Sequence, residues 1–550
     1  MRPPFAWGYR MPWLEWHKRD DDLKATAKTP YRLLQPIQSL SHGDEDAPNM
    51  LIQGDNLEAL KALLPYYAGQ VKCIYIDPPY NTKSAVSIHY DDNLEHAQWL
   101  AIMYPRLVLL RELMAETGVI FIQIDDKEMA YLRVVCDEIF GRTQFLNCIA
   151  VKTSDPSGHK TVNPSPYSQT EYLLMYAKDK KRYAYKQRYV ESGYDTGYNQ
   201  VILNFDAPYT EWETKNINEV VAESLGHENT RAARKAMGRA TFDALVASYA
   251  LENREKVFQP TAISDDAGRN IVEVRDTSKE NRDTVYRVQR EDFDDVYVLN
   301  GRQIYFYSSK VRDIDGELVP AKPLTNLWTD IPWNGISGEG GVKFKNGKKP
   351  ERLLRRCIEI STEIGDLVLD SFLGSGTTSA VAHKMGRRWI GIEMGDHAKT
   401  HCVPRLTSVI EGEQSGVSQL VGWQGGGGFR FYQLGPKVFD DQGRINPEIK
   451  FEHLAAHIWF AETGTARSTR AMKSPLLGVH NGTAYYLLYN GILGDKTLSG
   501  GNMLTMKVLG GLPKHDGPMV IYGEGTNMTS DRLRSLGIKF KKTPNDIRAR

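Results

Sequence analysis

The sequence predicts an α/β fold in which a doubly wound parallel sheet is interrupted by a long inserted domain and followed by a small α/β domain. Short apolar runs such as VKCIYI, at 71–76, are typical of strands that are buried on both faces. An amphipathic helix separates this run from the next one, VIFIQI at 119–124, as expected for a parallel βαβ unit. The alternation of strands and helices stops near residue 150 and resumes near residue 351.

The chain begins with a predicted N-terminal extension at 1–48, which we expect to pack on the core. The first half of the core is predicted at 49–150. Its helix is predicted at 95–116, because apolar residues recur every three or four positions from Leu100 to Met114. A buried strand, a helix and a second buried strand therefore follow one another in this half.

Residues 151–330 are predicted to form an inserted domain, because they are polar, rich in tyrosine and contain no further parallel unit. The second half of the core is predicted at 331–435, and a separate small α/β domain at 436–550. The predicted elements of these segments are helices near 215–257, 351–364 and 529–536, β-structure near 284–308, and strands at 366–370, 387–393, 519–523 and 537–542.

The composition is that of an ordinary globular protein, with 550 residues, 41% hydrophobic and 25% charged. It excludes a disordered tail, a collagen-like fibre and a disulfide-stapled mini-protein. No apolar window approaches the roughly 20 residues of a membrane span, and no signal peptide is evident. The five cysteines have no metal-ligand spacing, so we expect a reduced, cytoplasmic protein without a metal site. The formal charge is only +1, so a polyanionic partner must be bound by local basic runs, such as 178–188 and 343–356.

A glycine-rich turn, LDSFLGSGTT at 369–378, lies between a predicted strand and a predicted helix. Glycines permit a tight turn, and a helix N-terminus offers free N–H groups to an anion. The turn is neither a P-loop nor GxGxxG, and an aspartate followed by two hydroxyl groups suits an amino-acid moiety better than a pyrophosphate. S-adenosyl-L-methionine fits, with its ammonium near Asp370, its carboxylate near Thr377 and Thr378, and its ribose on Glu393 at the end of the next strand. The alternative is a strand–turn–helix that binds nothing.

A second turn, Asp77-Pro78-Pro79-Tyr80, directly follows the strand at 71–76. The two prolines stiffen the backbone and remove two N–H donors, so the turn presents a carboxylate, carbonyl oxygens and an aromatic ring. Such a set suits an exocyclic amine on a planar heterocycle. Acceptors on the amine hydrogens make the nitrogen more nucleophilic, and Tyr80 can stack on the ring. The nitrogen can then attack a sulfonium methyl directly, by positioning and electrostatics. The alternative is a proline turn without a ligand.

These two motifs resemble those of the amino-methylating DNA methyltransferases. DPPYNT at 77–82 is similar to their catalytic motif, and SFLGSGTT at 371–378 is similar to their cofactor motif. The catalytic motif comes first in the chain, which is the permuted order of the β class. The chain also resembles the modification subunit of type III restriction–modification systems at 49–84, 347–354 and 412–434.

The resemblance implies a Rossmann-like methyltransferase core, a target-recognition insert, a base that is flipped out of double-stranded DNA, and a homodimer with a restriction subunit that has ATPase and nuclease activity. The C-terminal domain would serve dimerisation or partner binding. The resemblance also implies roles for individual residues. The catalytic residues are Asp77, Pro78, Pro79 and Tyr80; the cofactor residues are Asp370, Phe372, Gly374, Ser375, Gly376, Thr377, Thr378 and Glu393, with Asp55 and Asn56 lining the cofactor's adenine and Lys349 beginning the helix that covers the cofactor.

Several alternatives remain at this point. Related enzymes that methylate cytosine N4 usually carry serine where this chain has Asp77, so the resemblance favours adenine N6. The chain could also be a methyltransferase without a restriction partner, or a DNA-binding module that has lost the chemistry. A nicotinamide oxidoreductase would need GxGxxG on the first strand, which is absent. Methylation of RNA or protein stays open, although the size of the insert favours DNA.

Overall fold

The structure is a computed structural model that describes residues 14–81, 95–155, 166–344, 347–439, 445–446, 448–468, 471, 473–489 and 502–543. It divides into two compact units. The first unit contains the residues up to Lys186 and those from Asn326 onward, and the second contains Gln187–Thr325. Within the described ranges, no helix is both long enough and apolar enough to cross a membrane.

The first unit is built on one large sheet, which includes ten strands that we label in chain order. They are β1 (Arg32–Pro36), β2 (Met50–Gln53), β3 (Val71–Ile76), β4 (Met114–Ile124), β5 (Phe145–Lys152), β6 (Thr170–Ala177), β7 (Leu327–Trp328), β8 (Leu367–Asp370), β9 (Arg388–Glu393) and β10 (Gly428–Lys437). The spatial order is β1-β10-β2-β9-β8-β3-β4-β6-β5-β7, and His42–Gly43 also pairs with β10.

All strands of this path run in one direction except β1 and β6. In the centre, β8 lies between β3 and β9 and pairs with both in parallel. The two predicted halves of the core therefore join directly, although the chain runs through the insertion between them. The predicted strand after the first helix was placed at 119–124, but β4 already begins at Met114, where the helix has ended.

Two groups of helices pack with this sheet, as predicted for a doubly wound fold. One group contains α1 (Asn56–Tyr67), α2 (His96–Leu113) and α3 (Asp126–Cys136), whose apolar residues share one core with the central strands. The other contains α4 (Glu351–Glu359), α5 (Thr377–Lys384) and α6 (Val403–Ile410). Carboxylates cap the helices of the first group: Asp55 accepts hydrogen bonds from two N–H groups of α1, and Asp125 accepts one from α3. The helix predicted at 351–364 ends earlier, at Glu359.

The two ends of the chain are more closely joined to the core than predicted. In the predicted extension 1–48, β1 forms an edge of the main sheet and Trp16 lies in the main core, while residues 1–13 are outside the described residues. The predicted domain 436–550 has its own four-stranded sheet, yet it belongs to the first compact unit. Tyr31 of the N-terminal segment shares an apolar core with helix Phe451–Thr463 and with strands of the C-terminal domain. This shared core explains why the C-terminal domain belongs to the first unit. The other elements of this segment are strands Leu476–His480, Thr483–Leu487, Met503–Leu504, Met519–Gly523, Gly525–Thr526 and Ile538–Lys542, and helices Met506–Gly511 and Ser530–Ser535.

The second unit, Gln187–Thr325, is shorter than the insertion predicted at 151–330. The difference arises because β6 lies between β4 and β5 and pairs with both of them. The chain therefore leaves the main sheet only after β6. The unit contains a six-stranded antiparallel sheet and a three-stranded one. The helical stretch predicted at 215–257 is divided into three helices. The elements are helices Ile217–Ser224, Thr230–Met237, Arg239–Glu252 and Arg269–Glu280, and strands Tyr189–Glu191, Gln200–Ile202, Thr214–Asn216, Val257–Ala262, Tyr286–Val288, Val296–Leu299, Arg302–Phe306, Val311–Ile314 and Glu317–Pro323.

Candidate active site

The predicted site residues lie along one edge of the main sheet, because they follow four neighbouring parallel strands. The carboxyl ends of parallel strands meet at one edge, and open α/β sheets bind ligands there. The two sequence motifs become neighbours because β8, which precedes the glycine-rich turn, pairs with β3, which precedes the proline turn. Along the sheet, β2 is followed by Asp55 and Asn56, β9 ends at Glu393, β8 ends at Asp370, and β3 is followed by Asp77.

The glycine-rich turn between β8 and α5 needs glycine at two positions. Gly374 and Gly376 have φ angles of +59° and +83°, in the region that side chains disfavour. The carboxylate of Asp370 accepts hydrogen bonds from the Phe372 N–H (2.9 Å) and from the Thr378 hydroxyl (2.5 Å). It therefore holds the beginning and the end of the turn together.

Two hydroxyl groups of the turn, those of Ser375 and Thr377, lie 3.1 Å apart. The Thr378 hydroxyl hydrogen is used on Asp370, so a ligand carboxylate is better matched by Thr377 together with Ser375 than by the predicted pair of threonines. Ser371 adds a buried hydroxyl oxygen that has no hydrogen-bond partner in the described part of the chain.

Glu393, the predicted ribose acceptor, is already engaged within the chain. Its carboxylate accepts hydrogen bonds from the N–H groups of Gly374 (2.7 Å) and Gly395 (3.1 Å), and His397 Nε2 lies 2.8 Å from it. A carboxylate offers about four acceptor positions. The contacts within the chain already use much of this capacity, so a ribose on Glu393 would compete with them.

Asp55 and Asn56, predicted to line the adenine of a cofactor, have structural contacts. Asp55 caps α1 and forms an ion pair of 2.8 Å with Arg106. Asn56 donates to the Ser371 carbonyl (2.7 Å) and accepts from Arg106. These two residues thus connect α1 and α2 to the glycine-rich turn, and their side-chain polar groups are largely satisfied by the protein.

The proline turn is held by contacts that the sequence does not reveal. The indole N–H of Trp99, on α2, donates to the Pro79 carbonyl over 2.7 Å. Asn81 follows in the left-handed region, with φ of +55°, and donates to Glu128 over 2.8 Å. The Pro79 carbonyl is therefore occupied, and the last residue of the predicted motif, Thr82, lies outside the described residues.

A buried network of charges surrounds Asp77 and Tyr80. Lys349 Nζ lies 3.1 Å from Asp77 Oδ2 and donates to the Tyr80 hydroxyl over 2.8 Å. The Tyr80 hydroxyl donates to Glu171, on β6, over 2.7 Å, and Gln123 donates to the same carboxylate over 2.5 Å. Lys349 closely precedes α4, the helix that was predicted to cover a cofactor, and its ammonium group lies among the predicted catalytic residues. It also lies 4.9 Å from the centre of the Tyr80 ring.

The pKa directions follow from this network. Burial raises the pKa of Asp77, the Lys349 ammonium opposes this rise, and the Glu171 carboxylate adds to it. Burial acts against the ionisation of Glu171, but Lys349 and the hydrogen bonds from Tyr80 and Gln123 outweigh it and lower its pKa. For Lys349, burial is outweighed by the two carboxylates, so its pKa is raised. Lys349 and Glu171 are therefore charged at neutral pH.

The second oxygen of Asp77 is the feature that points most directly to a ligand. Asp77 Oδ1 is buried and accepts no hydrogen bond from the described residues. A buried carboxylate oxygen without a partner is costly, and an amine hydrogen would satisfy it. Glu171, Gln123 and Trp99 were not predicted from the sequence. The strand pattern TEYLLMYA, in which a glutamate precedes a continuous apolar run, is the signal that could have indicated Glu171.

The charge at the glycine-rich turn suits S-adenosyl-L-methionine, which carries an ammonium group. Burial is the main cause that raises the pKa of Asp370 to about 7, and the nearby carboxylates Asp77 and Glu393 add to it. A ligand ammonium beside Asp370 would relieve this unfavourable burial of negative charge. Within the described ranges, no group of three or more His, Cys, Asp or Glu side chains is placed to hold a metal ion.

Comparison with known proteins gives one family. The DNA methylase family, whose members modify N6 or N4 amines, matches residues 71–403. The protein named "Probable type III restriction-modification enzyme HindVI Mod subunit", from Haemophilus influenzae, is 35% identical over 71% of this chain and 54% of its own length. The EcoPI Mod subunit of Escherichia phage P1 is 30% identical over 62% and 56%, and the type II methyltransferase M.EcaI of Enterobacter cloacae is 26% identical over 63% and 66%.

The chain spans about half the length of the Mod subunits that it matches. Among solved structures, the cytosine-N4-specific PvuII DNA methyltransferase is 12% identical, with a TM-score of 0.31, over 70% of this chain and 98% of that one. The family of the chain is given by the sequence match. Because that match covers both motifs and most of the main sheet, the chain belongs to the N6/N4 DNA methylase family.

Proposed function

We propose that this protein transfers a methyl group from S-adenosyl-L-methionine to adenine N6 in a specific sequence of double-stranded DNA, as the modification subunit of a type III restriction–modification system. The observation that carries the proposal is Asp77 Oδ1, a buried carboxylate oxygen without a partner among the described residues, on a rigid turn beside the glycine-rich turn. The Mod subunits that the chain resembles support the type III assignment.

In this proposal the chain supplies position and electrostatics. Asp77 Oδ1 and the Pro78 carbonyl accept the two hydrogens of the amine, and Tyr80 stacks on the base. Lys349 favours the ionised form of the buried Asp77 carboxylate, and Glu171 with Trp99 fixes the tyrosine and the turn. S-adenosyl-L-methionine, when bound, supplies an electrophilic methyl group on its sulfonium. Asp370, with the Ser375 and Thr377 hydroxyls, would hold its amino-acid moiety and Glu393 its ribose.

Adenine is preferred to cytosine as the target because Asp77 stands where related cytosine enzymes usually have serine. The alternative, N4-cytosine methylation, uses the same chemistry on another exocyclic amine. Either base must leave the duplex to reach a buried carboxylate, so we include base flipping in the proposal. A homodimer, a restriction subunit as partner, and action in the cytoplasm are also parts of the proposal.

We propose that the unit Gln187–Thr325 reads the target sequence. The unit carries 18 Lys and Arg residues against 24 Asp and Glu residues, so its net charge does not favour DNA. Four basic residues, at 231, 234, 235 and 239, are nevertheless concentrated at 230–242, where no acidic residue occurs. Asp243, the next residue, forms ion pairs with Arg234 and Arg239, so Arg231 and Lys235 of helix Thr230–Met237 are the preferred candidates for phosphate contact.

The test is long-read sequencing that detects modified bases, on DNA from cells that express this chain alone, beside cells that express Asp77→Ala. N6-methyladenine at one short motif, absent with Asp77→Ala, is the expected result. N4-methylcytosine would move the assignment to the alternative. Absence of any modification, even when a candidate restriction subunit is co-expressed, would contradict the proposal. Calorimetry with S-adenosyl-L-methionine should show that Asp77→Ala still binds the cofactor.

A further inference from the structure

We propose that Arg405, on α6, is a positioning residue of the cofactor turn, which orients the paired hydroxyl groups of Ser375 and Thr377 so that one of them donates to the carboxylate of the cofactor. This inference deepens the proposed function and rests on it, because it concerns the same turn. Neither the sequence motifs nor the comparisons assign a role to Arg405, which lies 27 residues after the end of the turn at Thr378.

The Arg405 side chain is fully buried and contacts the turn from behind. Its Nη1 lies 2.7 Å from Thr377 Oγ1 and 3.3 Å from both the carbonyl oxygen and the hydroxyl of Ser375. Guanidinium groups can donate hydrogen bonds but cannot accept them. The two hydroxyl oxygens therefore act as acceptors toward Arg405, and this sets the direction of their own hydrogens.

A count of hydrogens shows what the turn can offer to a ligand. Ser375 and Thr377 each carry one hydroxyl hydrogen, and their oxygens lie 3.1 Å apart. One hydrogen is used between the two oxygens, which leaves the other to donate outward. A carboxylate accepts only, so it is the ligand group that this arrangement suits, and S-adenosyl-L-methionine carries one.

Arg405 is itself held by a buried cluster of charges. Its Nη2 lies 2.8 Å from Glu351 Oε1, and Lys384 Nζ lies 2.8 Å from Glu351 Oε2 and also contacts Glu413. The Glu351, Lys384 and Arg405 side chains have no exposed surface. Such a cluster stabilises little relative to apolar packing, because three charges lose their hydration. A positional role explains it better than a stabilising one.

The cluster also joins the two halves of the candidate site. Glu351 is the first residue of α4, two positions after Lys349, whose ammonium lies beside Asp77. Arg405 therefore bonds to the cofactor turn with one nitrogen and to the base of the Lys349 segment with the other. Displacement of Arg405 would move the turn relative to the residues that hold the amine.

The experiment compares two variants that damage the same cluster. Arg405→Lys keeps a positive charge near Glu351 but loses the planar guanidinium group, whose second nitrogen contacts the turn. Lys384→Gln, the control, weakens the cluster without removing any described contact to a residue of the turn. We expect Arg405→Lys to raise the Kd for S-adenosyl-L-methionine about tenfold to a hundredfold, as for the loss of hydrogen bonds to a charged group. Lys384→Gln should lower Tm at least as much as Arg405→Lys does, but it should leave the Kd for S-adenosyl-L-methionine within about twofold of wild type.

A second ligand separates positioning from general damage. Decarboxylated S-adenosylmethionine lacks only the carboxylate, so its Kd should be the same for wild type and Arg405→Lys. Thr377→Val should raise the Kd for S-adenosyl-L-methionine as Arg405→Lys does. The double variant should lose little more affinity than either single variant. The inference would be overturned if Arg405→Lys lost equal affinity for both ligands. It would also be overturned if the Lys384→Gln control lost as much affinity for S-adenosyl-L-methionine as Arg405→Lys. Failure of the wild-type protein to bind S-adenosyl-L-methionine would instead count against the proposed function.

Discussion

Lys349 Nζ lies 3.1 Å from Asp77 Oδ2, which joins the segment before α4 to the turn after β3. The contact is possible because β8, which follows α4, pairs with β3 in the sheet. Burial raises the pKa of Asp77, and Lys349 is the charge that opposes this rise. If Asp77 must be ionised to accept the amine hydrogens, the charges around Asp77, Lys349 among them, set the lowest pH at which the proposed methyl transfer proceeds.

Two variants should therefore shift the acidic limb of the pH profile of kcat in opposite directions. Lys349→Met removes the charge that lowers the pKa of Asp77, so the limb should move to higher pH. Glu171→Gln removes a carboxylate that raises this pKa, so the limb should move to lower pH. Kinetics from pH 5 to pH 9 on a DNA substrate that contains the mapped motif would measure both shifts. Shifts in the same direction would mean that the acidic limb does not reflect the ionisation of Asp77.

Trp99 should support catalysis without touching a substrate. Its indole N–H donates to the Pro79 carbonyl, so Trp99→Phe removes that hydrogen bond and conserves most of the apolar packing. We expect a stability loss of about 1–2 kcal/mol, because a buried acceptor loses its donor. The kcat should fall about tenfold if the loosened turn costs a comparable free energy in the transition state. Thermal unfolding and single-turnover kinetics would measure the two effects, and unchanged kcat would show that the turn is rigid without this bond.

Much of the main sheet could be predicted from its apolar runs. The strand at 71–76 was placed correctly, because residues buried on both faces are apolar throughout, whereas the pairing of β3 with β8 was not predicted and is seen only in the structure. Glu171 could not be predicted, because its importance depends on an antiparallel strand that returns from beyond β5 and places it at the same edge. The same holds for Trp99 and Arg405, since a pattern in one segment does not reveal which distant carbonyl or hydroxyl a side chain reaches.

Gly374 offers a test of backbone conformation in the cofactor turn. Its φ of +59° disfavours any side chain, although a Cβ atom would meet no atom of the described residues within 4 Å apart from its chain neighbours. Gly374→Ala should therefore cost only about 1–2 kcal/mol of stability, the usual penalty of the left-handed conformation. Gly374→Leu should in addition block the cofactor by filling the space beside the turn. Calorimetry with S-adenosyl-L-methionine would measure the difference, and normal affinity of Gly374→Leu would place the cofactor elsewhere.

Asp370 should make the protein less stable as the pH rises when no cofactor is present. Its pKa is raised from 3.8 to about 7, chiefly by burial, so the folded state holds a proton that the unfolded state releases between these values. Stability then falls as pH increases from about 4 to about 7, since the unfolded state binds fewer protons. The total effect is a few kcal/mol, because one pKa unit corresponds to about 1.4 kcal/mol.

Asp370→Asn removes this titration and can keep the hydrogen bond from the Phe372 N–H. The variant should therefore unfold at a higher temperature than wild type at pH 8 and show little difference at pH 4. It should also bind S-adenosyl-L-methionine much more weakly, because the amide cannot balance an ammonium group. Thermal unfolding from pH 4 to pH 9, without cofactor, measures the first effect and calorimetry the second. Equal pH slopes for the two proteins would contradict the account of Asp370, whereas a stabilised variant with normal affinity would remove Asp370 from the cofactor site.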